Sequence, residues 1–403
     1  MLRLNAFARK CVDLSRRKSR RRQSTLSCFL SDTKDRLNLN NNKDRFVFVM
    51  GNQASDADSV VSSLVIAYVK SLNDSKRTYV PLVSVTRDIF VNTHPLEPFL
   101  LRPAVSIDDL IFLEDVYGLM KTLSEESRME IILTDHNKLV PGLHEIFGDH
   151  VVEIYDHHED QRCYDVRVRN VAFDEKSSSG LGSCCTIVGS LPSVEKILKD
   201  VENEIARMLL DVILVDTVGL RKEAGKTKPL DVAVAKKLGD IVNVKDISKR
   251  FQELSDAKFD PTFWKARSTS QLLKYDFKKY RVGNIVYGAS SIPITIRDLV
   301  VKEGNRKFEE NIVQWMRQNS LRFLLLVSMT MSGDIANREL GICSTDKDFS
   351  KNLTGYLQKT DLELKKQQSI GLSESTIYFE AFSQGNKKRS RKRITPLVDA
   401  YLN

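Results

Sequence analysis

Long apolar runs are missing from this 403-residue chain: no uninterrupted stretch reaches 18 residues, which leaves no candidate for a membrane-crossing helix. Cysteine is sparse. The six present (Cys11, Cys28, Cys163, Cys184, Cys185 and Cys343) form no C-x-x-C pair, so a disulfide-stapled scaffold is excluded and a reducing compartment fits best. Glycine and proline together account for only 28 of 403 residues, which rules out collagen-like and low-complexity chains. What is there in quantity is 41% hydrophobic residues on a length suited to two or three domains, with 29% charged residues. The chain reads as a soluble globular protein with no membrane partner.

The net charge of +9 is unevenly distributed. Residues 1–31 carry nine Lys or Arg against Asp13, and the run Lys387–Arg393 (KKRSRKR) adds six more cations, which leaves the remainder at −5. A mildly acidic body is not a nucleic-acid-binding surface, so no nucleic-acid partner is expected. The first 31 residues are rich in Arg and Ser and have one acid, the composition of a mitochondrial transit peptide directed to the matrix. A disordered basic tail on a cytoplasmic protein is the plainer alternative. Residues 1–43 are therefore expected to form an extension, with the polar, Asn-rich stretch 32–43 as a linker.

From Arg45 the pattern becomes βα. Short apolar runs at Phe46–Met50, Tyr79–Val85, Glu130–Thr134 and Val151–Tyr155 read as strands, and Ser59–Leu72 repeats apolar residues at helical spacing. Val201–Val215 is too long for a lone strand and repeats through Ile205, Met208, Leu209, Val212 and Ile213, a buried helix. Strands alternating with helices predict an α/β fold, a doubly wound and mostly parallel sheet over 44–240. Residues 241–254 turn polar and read as a linker. A smaller α/β domain follows over 255–403, with strands near Asn284–Ala289, Phe323–Val327, Leu340–Cys343 and Ile377–Ala381.

Four of the apolar segments of the first domain run into aspartates. Asp56 and Asp58 follow the first strand; Asp135, His136 and Asn137 follow Glu130–Thr134; Asp156, His157 and His158 follow Val151–Tyr155; and Asp216 closes the long helix. In open α/β sheets, ligands bind beyond the carboxyl ends of the strands, so these groups are expected to converge on one rim. Aspartate and histidine without cysteine suit Mg²⁺, Mn²⁺ or Zn²⁺ and disfavour a structural zinc site. Each piece has a duller reading, with Asp58 and Ser59 as a helix cap and Asp-His as a turn. Five of the six histidines nevertheless fall between His136 and His158, and the four acidic segment ends recur in βα order.

This set resembles the DHH phosphoesterase superfamily, named for the triplet present here as Asp156-His157-His158. The resemblance runs from Arg45 to the end of the chain and includes a C-terminal DHHA2-like domain. Within the superfamily it is nearest to eukaryotic exopolyphosphatases and animal prune-type proteins, through QELSDAKFD, LLKYDFKKY and LVDTVGLRKEAGKTKPLD. It implies two divalent cations, Mn²⁺ or Mg²⁺ with Co²⁺ as a substitute. Asp56 would ligate one and Asp58 the other, Asp135 would bridge both, and His157 and Asp216 would complete the second site. Asp135, His157 and His158 would be catalytic, with His158 facing the substrate phosphate and Asn52, His136 and Asp156 supporting the metals. Family pyrophosphatases begin the first motif with a histidine where this chain has Asn52, which argues against a dedicated pyrophosphatase. Lys278, Arg391 and Lys392 match substrate-binding cations of the C-terminal domain, and Ser183, Cys184 and Cys185 match a segment at a helix start near the substrate.

The resemblance thus implies an exopolyphosphatase-like hydrolase acting on a small phosphorylated substrate through metal-activated water. A cyclic AMP phosphodiesterase of the prune type is the rival activity. A non-catalytic interaction protein with a vestigial site is the third reading, disfavoured because none of the expected ligands has been lost.

Overall fold

A computed structural model describes residues 25–39, 44–102, 104–177, 179–198, 203–332, 335–367 and 377–403. Two compact units emerge, one of residues 1–90 and 96–254, the other of 91–95 and 255–403.

The first unit is built on five strands, β1 (Arg45–Met50), β2 (Arg77–Leu82), β3 (Met129–Thr134), β4 (Val151–Asp156) and β5 (Val168–Val171), in the order β2-β1-β3-β4-β5. All four pairings are parallel. Successive side chains of a strand face opposite sides, and in β1 both sides are covered: Phe46, Phe48 and Met50 join one apolar cluster, while Val47 and Val49 are as deeply buried. A strand buried on both faces needs a continuous apolar run, which is why FVFVM was legible as parallel. The chain leaves β1 on one side for β2 and returns on the other for β3. Crossovers diverge there, opening a crevice beyond the carboxyl ends of β1 and β3.

The second unit holds a mixed six-stranded sheet. Its strands are β6 (Asp276–Val282), β7 (Ile285–Ile292), β8 (Phe323–Ser332), β9 (Ile335–Ser344), β10 (Leu364–Lys366) and β11 (Tyr378–Gln384), ordered β10-β11-β9-β8-β7-β6. Only β7 and β8 pair in parallel. The doubly wound domain followed by a smaller α/β domain is therefore present.

Three expectations need correction. Residues 32–43 are not simply a linker, because Thr25–Leu39 is a helix whose Leu26, Phe29, Leu30 and Thr33 are buried; residues 40–43 lie outside the described residues. Phe29 meets Tyr68 edge to face at 5.5 Å, and Ser27 donates to Asp109 at 3.1 Å. Most of the expected transit peptide, residues 1–24, lies outside the described residues. Residues 241–254 are likewise largely helical, since Ile247–Lys258 is a helix and the division between units falls inside it. Finally, β2 stops at Leu82, with Val83 making a lone bridge to Phe112.

The helix Ile247–Lys258 is fastened to the first unit by a forked ion pair. Arg250 donates through Nε (2.8 Å) and Nη2 (2.5 Å) to Asp211, a carboxylate with no solvent exposure. Deleting Asp211 from such a pair leaves a largely buried guanidinium whose remaining carboxylate partner is the half-exposed Glu253. Asp211→Ala is expected to lower unfolding free energy by about 3–5 kcal/mol in urea titration, far more than an exposed-pair deletion such as Arg306→Ala.

Candidate metal centre

The loops leaving β1, β3 and β4 meet at the crevice. Among the described residues, ligand atoms of Asp135, His157 and His158 lie within 4.8 Å of one another. Asp135 follows β3 with a positive φ of 62°, a left-handed conformation that aspartate tolerates better than most residues. Its Oδ2 accepts from Asn52 Nδ2 and Ser59 Oγ, each at 2.8 Å. Its Oδ1 is 3.1 Å from His157 Nε2 and 3.8 Å from His158 Nδ1. One oxygen is thus held by neutral donors and the other faces the histidines.

His157 Nδ1 lies 2.8 Å from the Leu181 carbonyl, which can only accept, so Nδ1 carries a proton. Its Nε2 is turned toward Asp135 and, at 3.7 Å, toward Asp58 Oδ2. Gly180 permits this packing: a Cβ there would sit 1.8 Å from the His157 carbonyl oxygen. Asp58 is buried and accepts from Ser183 Oγ (2.9 Å), Cys184 N (2.6 Å) and Cys185 N (2.8 Å). Asp156 has no solvent exposure. Its oxygens take the backbone N–H groups of His157 (2.8 Å) and His158 (3.2 Å), His158 Nδ1 (2.9 Å) and Asn137 Nδ2 (2.5 Å). Asp156 accordingly orients the histidines, and His158, with 59% of its side chain exposed, is left presenting Nε2.

The electrostatics follow from this geometry. Burial first, and then the Asp58 charge, push the Asp135 carboxyl up to about 8 despite the hydrogen bond from His157. Burial opposes a charge on His157, but the Asp135 hydrogen bond and the charges of Asp58 and Asp135 overcome it and raise the imidazole to about 10. The hydrogen bond to Asp156 raises His158; burial pushes Asp156 up, but the His158 contact together with the hydrogen bonds from Asn137 and the His158 backbone N–H holds it low. His136 donates Nδ1–H to the Thr134 carbonyl at 3.0 Å, and burial lowers its pKa.

These donors suit a divalent cation. An imidazole nitrogen whose partner N–H is fixed by a carbonyl, aimed at carboxylate oxygens in a dry pocket, needs a positive charge at that point. A proton serves in the metal-free protein, and a hard-to-borderline cation matches the same oxygen and nitrogen atoms.

The remaining expected residues lie further out. Asp56 is exposed; its side chain caps the following helix by accepting from Ser59 N at 3.2 Å, so the cap is Asp56 rather than Asp58, although the Asp56 charge is felt at Asp135. Asp216 ends the helix Glu204–Asp216, where its charge bears on the buried Cys185 thiol. Neither joins the cluster of three. Burial pushes the thiols of Cys184 and Cys185 far up, which suits packing rather than nucleophilic roles. In the second unit, Lys278 is exposed on β6 and Lys392 on the helix Arg391–Leu402. Arg391 is engaged instead, donating to the Asp276 carbonyl and, at 2.8 Å, to its carboxylate. Ser59 and Leu181 carry no motif signal, being a serine on a helix and a loop carbonyl, and no sequence pattern singles them out.

Because Asp135 and His157 hold protons that a metal ligand must give up, divalent-ion affinity should rise with pH. Mn²⁺ titration calorimetry in buffers of differing ionisation enthalpy is expected to show proton release near neutrality. Affinity is expected to climb from about pH 6 to about pH 9. Gly180→Ala is expected to cost about 1–3 kcal/mol in thermal unfolding through the clash at the His157 carbonyl.

Residues 46–217 match the family profile described as "DHH family, N-terminal domain", and residues 252–401 match "DHHA2 domain". Exopolyphosphatase PRUNE1 of Mus musculus is 26% identical over 370 residues, covering 88% of this chain and 75% of the relative. The manganese-dependent inorganic pyrophosphatase of Methanothrix thermoacetophila is 26% identical over 327 residues, covering 79% and 93%. A crystal structure of a "putative family II inorganic pyrophosphatase" from Methanococcus jannaschii superposes with a TM-score of 0.53 at 18% identity, covering 89% of this chain and all of that one. It shares the fold.

Proposed function

Since the chain belongs to the DHH family, with a DHH N-terminal domain followed by a DHHA2 domain, we propose that it is a metal-dependent phosphohydrolase of the exopolyphosphatase type. Its substrate in this reading is short linear polyphosphate, from which it releases terminal phosphate. The observation that carries the proposal is the meeting of Asp135, His157 and His158 within 4.8 Å, in a chain whose relatives are named exopolyphosphatases and manganese-dependent pyrophosphatases.

A divalent cation bound there supplies a Lewis acid for the phosphoryl oxygens and a water of lowered pKa; we take the full complement to be two ions, Mn²⁺ or Mg²⁺, with Co²⁺ as a substitute. Asp135 through Oδ1 and His157 through Nε2 would hold it. Asp58 keeps a face toward His157 while three donors fix it, and Asp56 and Asp216 are proposed to complete the ligand set. His158 acts on the substrate. Its Nδ1–H is committed to Asp156, so a proton on the exposed Nε2 is free to meet a phosphate oxygen. The hydrogen bond to Asp156 raises its pKa and so favours the protonated ring. In the second unit, Lys278 and Lys392 are assigned to the phosphate units of the substrate. Arg391 was expected to share that task, and its carboxylate partner Asp276 leaves Lys392 as the exposed member of the pair. The composition of residues 1–31 supports mitochondrial import, which a fluorescent fusion of the full chain with and without residues 1–24 tests.

Phosphate release should be measured on tripolyphosphate, pyrophosphate and cyclic AMP with Mn²⁺, Mg²⁺ and Co²⁺. Tripolyphosphate is expected to be the best substrate. Cyclic AMP in first place would move the activity to phosphodiesterase chemistry, and silence on all three would leave a binding protein. Asp135→Asn and His158→Gln are each expected to lower kcat/KM on tripolyphosphate by about 10²-fold or more, with the fold intact by circular dichroism.

A further inference from the structure

The segment that fixes Asp58 is itself held at both ends by one buried carboxylate. We propose that this residue, Asp231, is a positioning residue for the metal centre, a role that rests on the metal reading of Asp58. Asp231 has no solvent exposure and stands in the first turn of the helix Pro229–Val242. One of its contacts is ordinary helix capping, the Lys228 N–H to Oδ2 at 2.8 Å. The others leave the helix. Oδ2 also accepts from Gly182 N at 2.9 Å, and Oδ1 accepts from Thr186 Oγ1 at 2.6 Å.

Between those two anchor points lie Ser183, Cys184 and Cys185, the three residues that donate to Asp58. Asp231 thus grips a five-residue bracket whose middle supplies the donors that hold the Asp58 carboxylate. The same helix start makes further ties. Lys228 Nζ reaches Ser179 Oγ at 2.8 Å, and Thr227 Oγ1 reaches the Thr217 carbonyl at 3.3 Å, next to Asp216. The fit at Gly182 is tight: an added Cβ would lie 2.4 Å from Thr217 Cγ2 and 2.9 Å from Asp231 Oδ2. Asp231 therefore ties the Asp58 donors to the start of its own helix, and Thr227, just ahead of that start, reaches the end of the helix that closes with Asp216. Asp231 lies beyond residue 217, outside the stretch matched to the DHH domain.

Outer partners that aim a ligand at a metal typically change affinity 10–100-fold when removed. In Asp231→Asn the side chain keeps its volume but turns at least one acceptor into a donor facing Gly182 N or Thr186 Oγ1, so the bracket loosens without leaving a cavity. The test is Mn²⁺ affinity by calorimetry on the full chain, well below the unfolding temperature. Wild type, Asp231→Asn and Leu238→Ala are compared, the last a buried truncation in the same helix. The expected result is an affinity loss of about 10-fold or more in Asp231→Asn, with Leu238→Ala lowering Tm but binding like wild type. Equal affinity in Asp231→Asn and wild type overturns the proposal, as does an equal loss in both variants, which would mark a stability effect. If Asp231→Asn does not fold, Thr186→Val removes one arm of the bracket and takes its place: a loss of affinity supports the proposal, and affinity equal to wild type overturns it. Absence of Mn²⁺ binding by the wild type would overturn the metal reading of Asp58, and this proposal with it.

Discussion

Two carboxylates share one dry pocket. Asp58 and Asp135 are both buried and both reach His157 Nε2, and water is unavailable to screen them from each other. Burying like charges together is among the costlier things a fold can do, and it persists only where positive charge is supplied locally. His157 supplies it through a proton in the metal-free protein, which is why its imidazole is raised, while burial and the Asp58 charge raise the Asp135 carboxyl against the pull of that same proton. Much of the nearby architecture answers to this pocket: neutral donors from Asn52 and Ser59 on one Asp135 oxygen, backbone N–H groups on Asp58, and a carbonyl fixing the His157 tautomer.

The sheet order makes such a pocket available. With β1 flanked by β2 and β3, the loops leaving β1 and β3 diverge at their carboxyl ends, and the loop after β4 lies one strand away. Each loop contributes one kind of part. The first brings Asn52 and the helix carrying Asp58 and Ser59, the second brings Asp135 in a left-handed conformation, and the third brings the histidines with Asp156 beneath them. The short helix Cys184–Gly189 then meets Asp58 from a more distant part of the chain.

How much of this was legible follows the range over which each signal acts. Strands β1, β3 and β4 were readable because burial on both faces writes a continuous apolar run. Strand β5 was not, since Val168–Val171 sits at the sheet edge with Arg and Asn between its valines. Strand β6 was hidden for the same reason, as DFKKYRV carries the charge of an edge. In the site, the acidic strand ends and paired histidines were visible as a motif. The contacts joining Asp135 to Ser59, Asp58 to Cys185 and Asp231 to Gly182 span between 49 and 127 residues, and no local pattern encodes them. The helix Thr25–Leu39 was missed because its middle, SDTKDR, is polar and an asparagine-rich stretch follows it in the sequence.

That helix carries the packed structure upstream of the first strand. Phe29 against Tyr68, with Leu26 and Leu30 buried beside it, means that a boundary placed at the first strand cuts through a packed seam. Any protease that trims a leader from this polypeptide must therefore act upstream of Thr25 to spare that seam, and an expression fragment opening at Asp44 would leave a raw apolar scar on the helix beneath it.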